Sequence, residues 1–181
     1  MPHDPKTREP GVFVGYTLLP LRIPLCASFI LVWCGSRAVD SYSGQSYEHR
    51  RGWVEERLLY LSSVYAIDIC AYAVMSNHVH VVVHVDVDKA QGWRDKQVLS
   101  LWYTLYKGTL ITQKCMRDEP LSPGEEVTLR ETIQEYRRRL HDISWFMCNL
   151  NEFIAREANK EDGCTGRFYS LPSMVLTLRA S

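Results

Sequence analysis

The stretch YAIDICAYAVMSNHVHVVVHVDVD, residues 65–88, decides how this chain folds. Its first half, 65–75, is rich in branched and aromatic residues and reads as a strand. Ser76-Asn77 suits a tight turn. From His78 to Asp88 the chain returns as a second strand, completing a β-hairpin. Side chains alternate across a strand with a period of two. His78, His80, Val82, His84, Asp86 and Asp88 therefore share one face. Val79, Val81, Val83, Val85 and Val87 share the other, which is the core face.

Outward from the hairpin, other elements follow from local signals. Upstream, Val54, Leu58, Leu61 and Val64 recur at helical spacing with charges between them, predicting a helix over 47–63. Before it, 35–46 is a polar loop, and the apolar run IPLCASFILVWCG (23–35) reads as a buried strand over 28–33. That run is too short to span a bilayer, and a signal-peptide core is the competing reading of it. Residues 1–24 are proline-rich and read as irregular. Downstream, Asp95 is expected to cap a helix carrying Val98, Trp102, Leu105 and Tyr106. Ser122-Pro123-Gly124-Glu125 combines an N-cap serine, proline at the first position and Glu three residues on. It should open a helix with Ile133, Tyr136, Leu140 and Ile143 on its apolar stripe. Asp142 should start another, carrying Trp145, Phe146, Leu150 and Ile154 and stopping before Gly163. Strand, helix, hairpin and then helices argue for an α+β fold with helices over an antiparallel sheet.

Composition sets the outer bounds. The 181 residues suit one domain, with 46% hydrophobic and 23% charged residues as in an ordinary globular chain. Lys plus Arg and Asp plus Glu both number 21, so global charge does not argue for a nucleic-acid partner. That case rests on local patches such as His49-Arg50-Arg51 and Arg137-Arg138-Arg139, each of which reads first as a solvated helix face. The six cysteines form no CxxC pair, which fits reduced thiols in a cytoplasmic protein without a membrane partner.

Two imidazoles at i and i+2 on a rigid strand lie close enough to grip one ion, which makes His78 and His80 the candidate metal ligands. His84 is i+4 from His80, about 13 Å along a strand, too far to co-ligate; a phosphate contact is its alternative role. An imidazole-only site suits zinc, whereas magnesium needs oxygen partners. A small zinc protein is therefore one reading of the pair, and solvent-facing histidines on a strand are another.

CAYAVMSNHVHVVV (70–83) resembles the HUH motif of the single-tyrosine transposases, especially the REP-associated tyrosine transposases of the IS200-like group. Two histidines separated by one bulky apolar residue follow a Met-Ser-Asn turn, here Met75, Ser76, Asn77, His78 and His80. The resemblance extends over 46–86 and over DISWFMCNLNEFIAREANKEDGCTGRF (142–168), and covers 44–168. It implies a ferredoxin-like antiparallel sheet with helices packed on it. It further implies Mg2+ or Mn2+ held by His78 and His80, with single-stranded or hairpin DNA as partner. DNA is cleaved in such proteins by a tyrosine hydroxyl attacking a backbone phosphate. Homodimers are common in the family. His49, Arg50, Arg51, Arg156, Lys160 and Arg167 are candidate phosphate contacts, with Trp93 or Trp102 able to stack on bases; for Trp102, core packing is the favoured role.

Two departures qualify the resemblance. GRFYSLPSMVLTLRAS (166–181) lacks the family's tyrosine helix. Tyr169 stands in the wrong context for that role, and Tyr136 sits on an apolar stripe. LCASFILVWCGSRAVD (25–40) replaces the family's opening strand. The expectation is an incomplete copy: a divergent segment over 1–43, a transposase-like domain over 44–168 and a divergent tail over 169–181. Such a copy should bind DNA without cutting it.

Overall fold

The structure is a computed structural model. It describes residues 13–16, 25–32, 49–75, 78–161, 163 and 177–180; over 13–16, 25–32 and 177–180 it describes the backbone alone. The elements run β1 (Phe13–Tyr16), β2 (Leu25–Val32), α1 (His49–Val64), β3 (Ile67–Val74), β4 (His78–Val85), α2 (Val87–Gly92), α3 (Asp95–Tyr103), α4 (Leu110–Met116), α5 (Pro123–Arg139), α6 (Ile143–Glu161) and β5 (Thr177–Ala180). The fold is α+β.

Five strands form one sheet in the order β1-β3-β4-β2-β5. β3 and β4 are adjacent and joined by three residues, a connection short enough only for an antiparallel pair. The amide of Met75 donates to the carbonyl of His78 at 2.8 Å and closes the hairpin. β1 pairs antiparallel with β3, with Phe13 opposite Val74. β2 pairs antiparallel with β4, setting Ile30 opposite His80 and Val32 opposite His78, and β5 completes the other edge against β2.

The hairpin is as the alternation requires. Val79, Val81 and Val83 are fully buried, while His78, His80, Val82 and His84 are half-buried. β4 nevertheless ends at Val85, earlier than the alternation through Asp88 implies. The Asp86 carboxylate accepts from the Lys89 amide at 2.8 Å and caps α2, so Val87 and Asp88 are helical and exposed. Capping an orphan backbone N–H in the first turn of α2 takes the place of continuing the alternation by two residues. Ser76 and Asn77 lie outside the described residues, as do 33–48.

Two compact units divide the chain: 1–59 with 69–84 and 150–181, and 60–68 with 85–149. The first holds the sheet and buries Val54, Leu58, Leu150, Ile154 and Ala158 besides the β4 valines. There Arg57 lies over the Phe153 ring at 4.7 Å. The strands β1 and β2, from the segment expected to be divergent, and β5, from the expected tail, all pair into this one sheet. That revises the reading of residues 1–24 as wholly irregular and extends the strand expected over 28–33. Four-residue strands such as β1 and β5 carry no usable period; their partners far along the chain define them.

The second unit is helical, with α2, α3 and α4 packed on α5 and α3 also on α4. Trp102 is stacked on Tyr136, centroids 4.0 Å apart and planes 7° apart, and on Tyr106 at 4.3 Å. Trp102, Tyr136, Leu99, Ile133 and Leu140 are buried. Trp102 and Tyr136 are thus core residues, in agreement with the sequence. Ser122 caps α5 with its capping box formed, and Asp142 accepts from the amides of Ser144 and Trp145 ahead of α6. At α3 the expectation is off by one: Arg94 is the N-cap residue, its amide donating to the Gln97 carboxamide at 2.8 Å, and Asp95 lies in the first turn. Leu105 and Tyr106 fall beyond the end of α3. α4 has no counterpart in the sequence reading; its seven residues show too few turns for a stripe.

Arg137 explains Asp95's place. Its guanidinium donates to the carbonyls of Ala90 and Trp93, each at 2.7 Å, and to Asp95 at 2.9 Å, with its side chain 6% exposed. The triplet 137–139 is therefore not a uniform solvated face: Arg137 is buried, Arg139 half-buried and Arg138 exposed.

Candidate functional site: the histidine pair of strand β4

β4 places His78 and His80 on the same face because they stand two positions apart, with Val79 between them. Their rings meet edge to face, centroids 4.9 Å apart and planes 71° apart. The valines between and beyond them anchor the strand in the core, so the backbone beneath the two imidazoles is held rigidly. Burial pushes the His78 imidazole below its ordinary proton affinity, and the charge of a protonated His80 beside it pushes it further down. Both effects favour a neutral imidazole, the form that ligates a metal. His84 shares the face, opposite Cys26 across the β2 pairing.

The donor set fits a divalent ion as a half-site. Two adjacent imidazoles are present, and no group of three metal-capable side chains occurs among the described residues. The remaining positions would fall to water or phosphate oxygen, which suits a hard cation.

Six of the ten tyrosines lie among the residues with described side chains, and five of their hydroxyls are engaged. Tyr72 donates to Glu55. Tyr65 and Tyr106 each accept from the Asn149 carboxamide, at 2.7 and 2.6 Å. Tyr60 donates to the Thr104 carbonyl and Tyr103 is bonded to Thr112. Tyr72 is held in its neutral form, its pKa pushed up to about 12 by burial and then by the Glu55 carboxylate. A phenol so stabilised is a weak nucleophile. Tyr169 lies outside the described residues.

The candidate phosphate contacts separate into two groups. His49 is exposed, but its Nε2 lies 2.8 Å from Glu161, and Arg50 donates to the same carboxylate at 2.7 Å. Arg50 and Arg51 are 6% and 4% exposed, which corrects the reading of 49–51 as a solvated face. Both charges are taken into the fold at the start of α1. Arg156 and Lys160 are exposed and one turn apart on α6, with Arg156 paired to Glu152. Arg167 lies outside the described residues. Trp93 is half-buried, and its carbonyl is one of the two that Arg137 binds. Glu161 is the residue that sequence reasoning missed; it stands 111 positions from Arg50, and no local signal links them.

No helix among the described residues is long and apolar enough to cross a membrane. No family model matches the chain, and no curated protein or solved structure matches it either.

Proposed function

We propose that this chain is a single-tyrosine HUH transposase relative that binds single-stranded or hairpin DNA and does not cut it. The observation that carries the reading is the His78–His80 pair, its rings 4.9 Å apart on the half-buried face of a core strand. The sheet order supports it. Leaving aside β1, and taking the five helices α2–α6 as one connection, the succession and the spatial order β3-β4-β2-β5 are compatible with a ferredoxin-like split βαβ sheet.

His78 and His80 would hold Mg2+ or Mn2+, and such an ion draws charge from a phosphate oxygen when bound. The chain's own residues then bind and orient. The core valines fix the strand; the neutral His78 imidazole offers a lone pair; Arg156 and Lys160 offer cations to a phosphate backbone. Tyr72, on the strand beside β4, is held neutral by burial and by Glu55, which favours binding over strand cleavage by this hydroxyl.

Fluorescence anisotropy of a labelled hairpin-flanked oligonucleotide tests this. Binding should strengthen with Mn2+ and fall with rising salt. In His78→Ala/His80→Ala the response to Mn2+ should vanish. Incubation with the oligonucleotide should leave no covalent adduct on a denaturing gel. Absence of binding at low salt, or the same Mn2+ response in the double variant, defeats the reading. An adduct would defeat its non-cleaving half.

A further inference from the structure

The register of the sheet carries a residue of the last strand to the face that bears the histidine pair. Directly opposite residues of an antiparallel pair share a face. β2 sets Cys26 opposite His84, Ser28 opposite Val82, Ile30 opposite His80 and Val32 opposite His78. β5 in turn sets Arg179 opposite Cys26 and Thr177 opposite Ser28. One row across the sheet is therefore His84–Cys26–Arg179, and the next is Val82–Ser28–Thr177. Arg179 and Thr177 stand on the face of His78 and His80.

Charge singles Arg179 out. The five described strands carry two formal charges between them, Asp68 of β3 and Arg179 of β5. Asp68 accepts from Lys89 at 3.1 Å. Arg179 is thus the one arginine or lysine that these strands supply, and it falls on the histidine face and not on the valine face. The hydroxyl residues Ser28 and Thr177 hold the adjacent row, whereas Ile30 and Val32 share the rows of His80 and His78. The face divides into a histidine end and a polar corner at the β5 edge.

The spacing selects an extended ligand. Neighbouring strands lie about 4.8 Å apart, so β5 is about 10 Å from β4 across the sheet, and four residues from His80 to His84 add about 13 Å along it. The diagonal from His80 to Arg179 is then about 16 Å, far wider than one phosphate group. The two ends suit different phosphates of one strand.

Resting on the reading of the histidine pair as a metal site for DNA, we infer that Arg179 is a further DNA contact. It would neutralise a second phosphate of the single strand held at the metal, so that the strand crosses the sheet from β4 over β2 to β5. An edge strand also carries charge simply to deter pairing with other chains, and the salt dependence of binding separates the two roles.

The full chain, Arg179→Gln, Arg179→Lys and Thr177→Lys are titrated with the labelled hairpin-flanked oligonucleotide in Mn2+ at several salt concentrations, and circular dichroism checks that each is folded. Arg179→Gln should bind about fivefold more weakly. Its log–log salt slope should be shallower by about 0.7, the share of one single-strand phosphate. Its response to Mn2+ should persist. Arg179→Lys keeps the charge and should bind within about twofold of the parent. Thr177→Lys adds a cation one row away and should steepen the slope by about 0.7. The inference is overturned if a folded Arg179→Gln keeps the parent's affinity and slope, or if Arg179→Lys loses as much as Arg179→Gln. A parent-like slope in Thr177→Lys overturns it whether or not Arg179→Gln folds. In each of these cases the histidine double variant still loses its Mn2+ response, and the reading of the pair stands. A parent chain that does not bind at low salt overturns both.

Discussion

Replacing Arg137 by Ala should destabilise the helical unit by about 4 kcal/mol, the sum of unequal parts. The guanidinium binds two carbonyls at 2.7 Å each, and the bond to Ala90 is fully buried while that to Trp93 is partly so. Stranding a buried acceptor costs ~1–3 kcal/mol, so about 2 falls to Ala90 and about 1 to Trp93. Losing the buried stem of the side chain adds about 1 kcal/mol. The ion pair contributes little: Asp95 is 56% exposed and returns to water when its partner is gone. Asp95→Asn should therefore cost under ~1 kcal/mol, although it touches the same guanidinium. Urea unfolding followed by circular dichroism measures both. If Arg137→Ala costs no more than Asp95→Asn, the buried carbonyls are not what Arg137 holds, and the reasoning is wrong.

Other expectations concern caps, glycine and pH. Ser122→Ala removes the acceptor of the Glu125 amide and should cost about 1 kcal/mol in the same urea assay. Gly108→Ala forces a side chain onto φ +68°, with its Cβ 2.6 Å from the Tyr103 hydroxyl, and should cost about 2 kcal/mol. Gly52→Ala, where a Cβ meets nothing within 4 Å, should instead stabilise α1 by up to ~1 kcal/mol; equal signs for the two glycines would refute the argument. His78 should titrate below 6.5 by NMR. The unfolded chain then takes up the proton first, so this group's contribution to stability is whole above pH 6.5 and falls as pH drops through the folded value. His80→Ala should raise the His78 midpoint only in part, because burial is the larger cause; full restoration to 6.5 would contradict that order.

Much of the fold is written locally. The hairpin is legible because valine holds every second position from Val79 to Val85, while three of the four positions alternating with them over 78–84 are histidine. The stripes Val54-Leu58-Leu61-Val64 and Ile133-Tyr136-Leu140 mark α1 and α5, and Ser122 and Asp142 mark where α5 and α6 begin. A period of 2.0 or 3.6 residues, or a cap three residues from its amide, is complete within a few turns of chain. The pairing of His78 with His80 is equally local, since adjacent same-face positions on a strand need no third element to bring them together.

The tertiary structure decided the rest. β1 and β5 exist because distant strands offer them hydrogen bonds, and four residues alone cannot state that. Asp86 ended β4 because a helix lay ready to be capped. Arg50, Arg51 and Arg137 look like surface charges in sequence, yet they are buried. Glu161 and the carbonyls of Ala90 and Trp93, far along the chain, give Arg50 and Arg137 partners that replace water. Whether a polar group is satisfied depends on what packs against it, and sequence separation does not limit that.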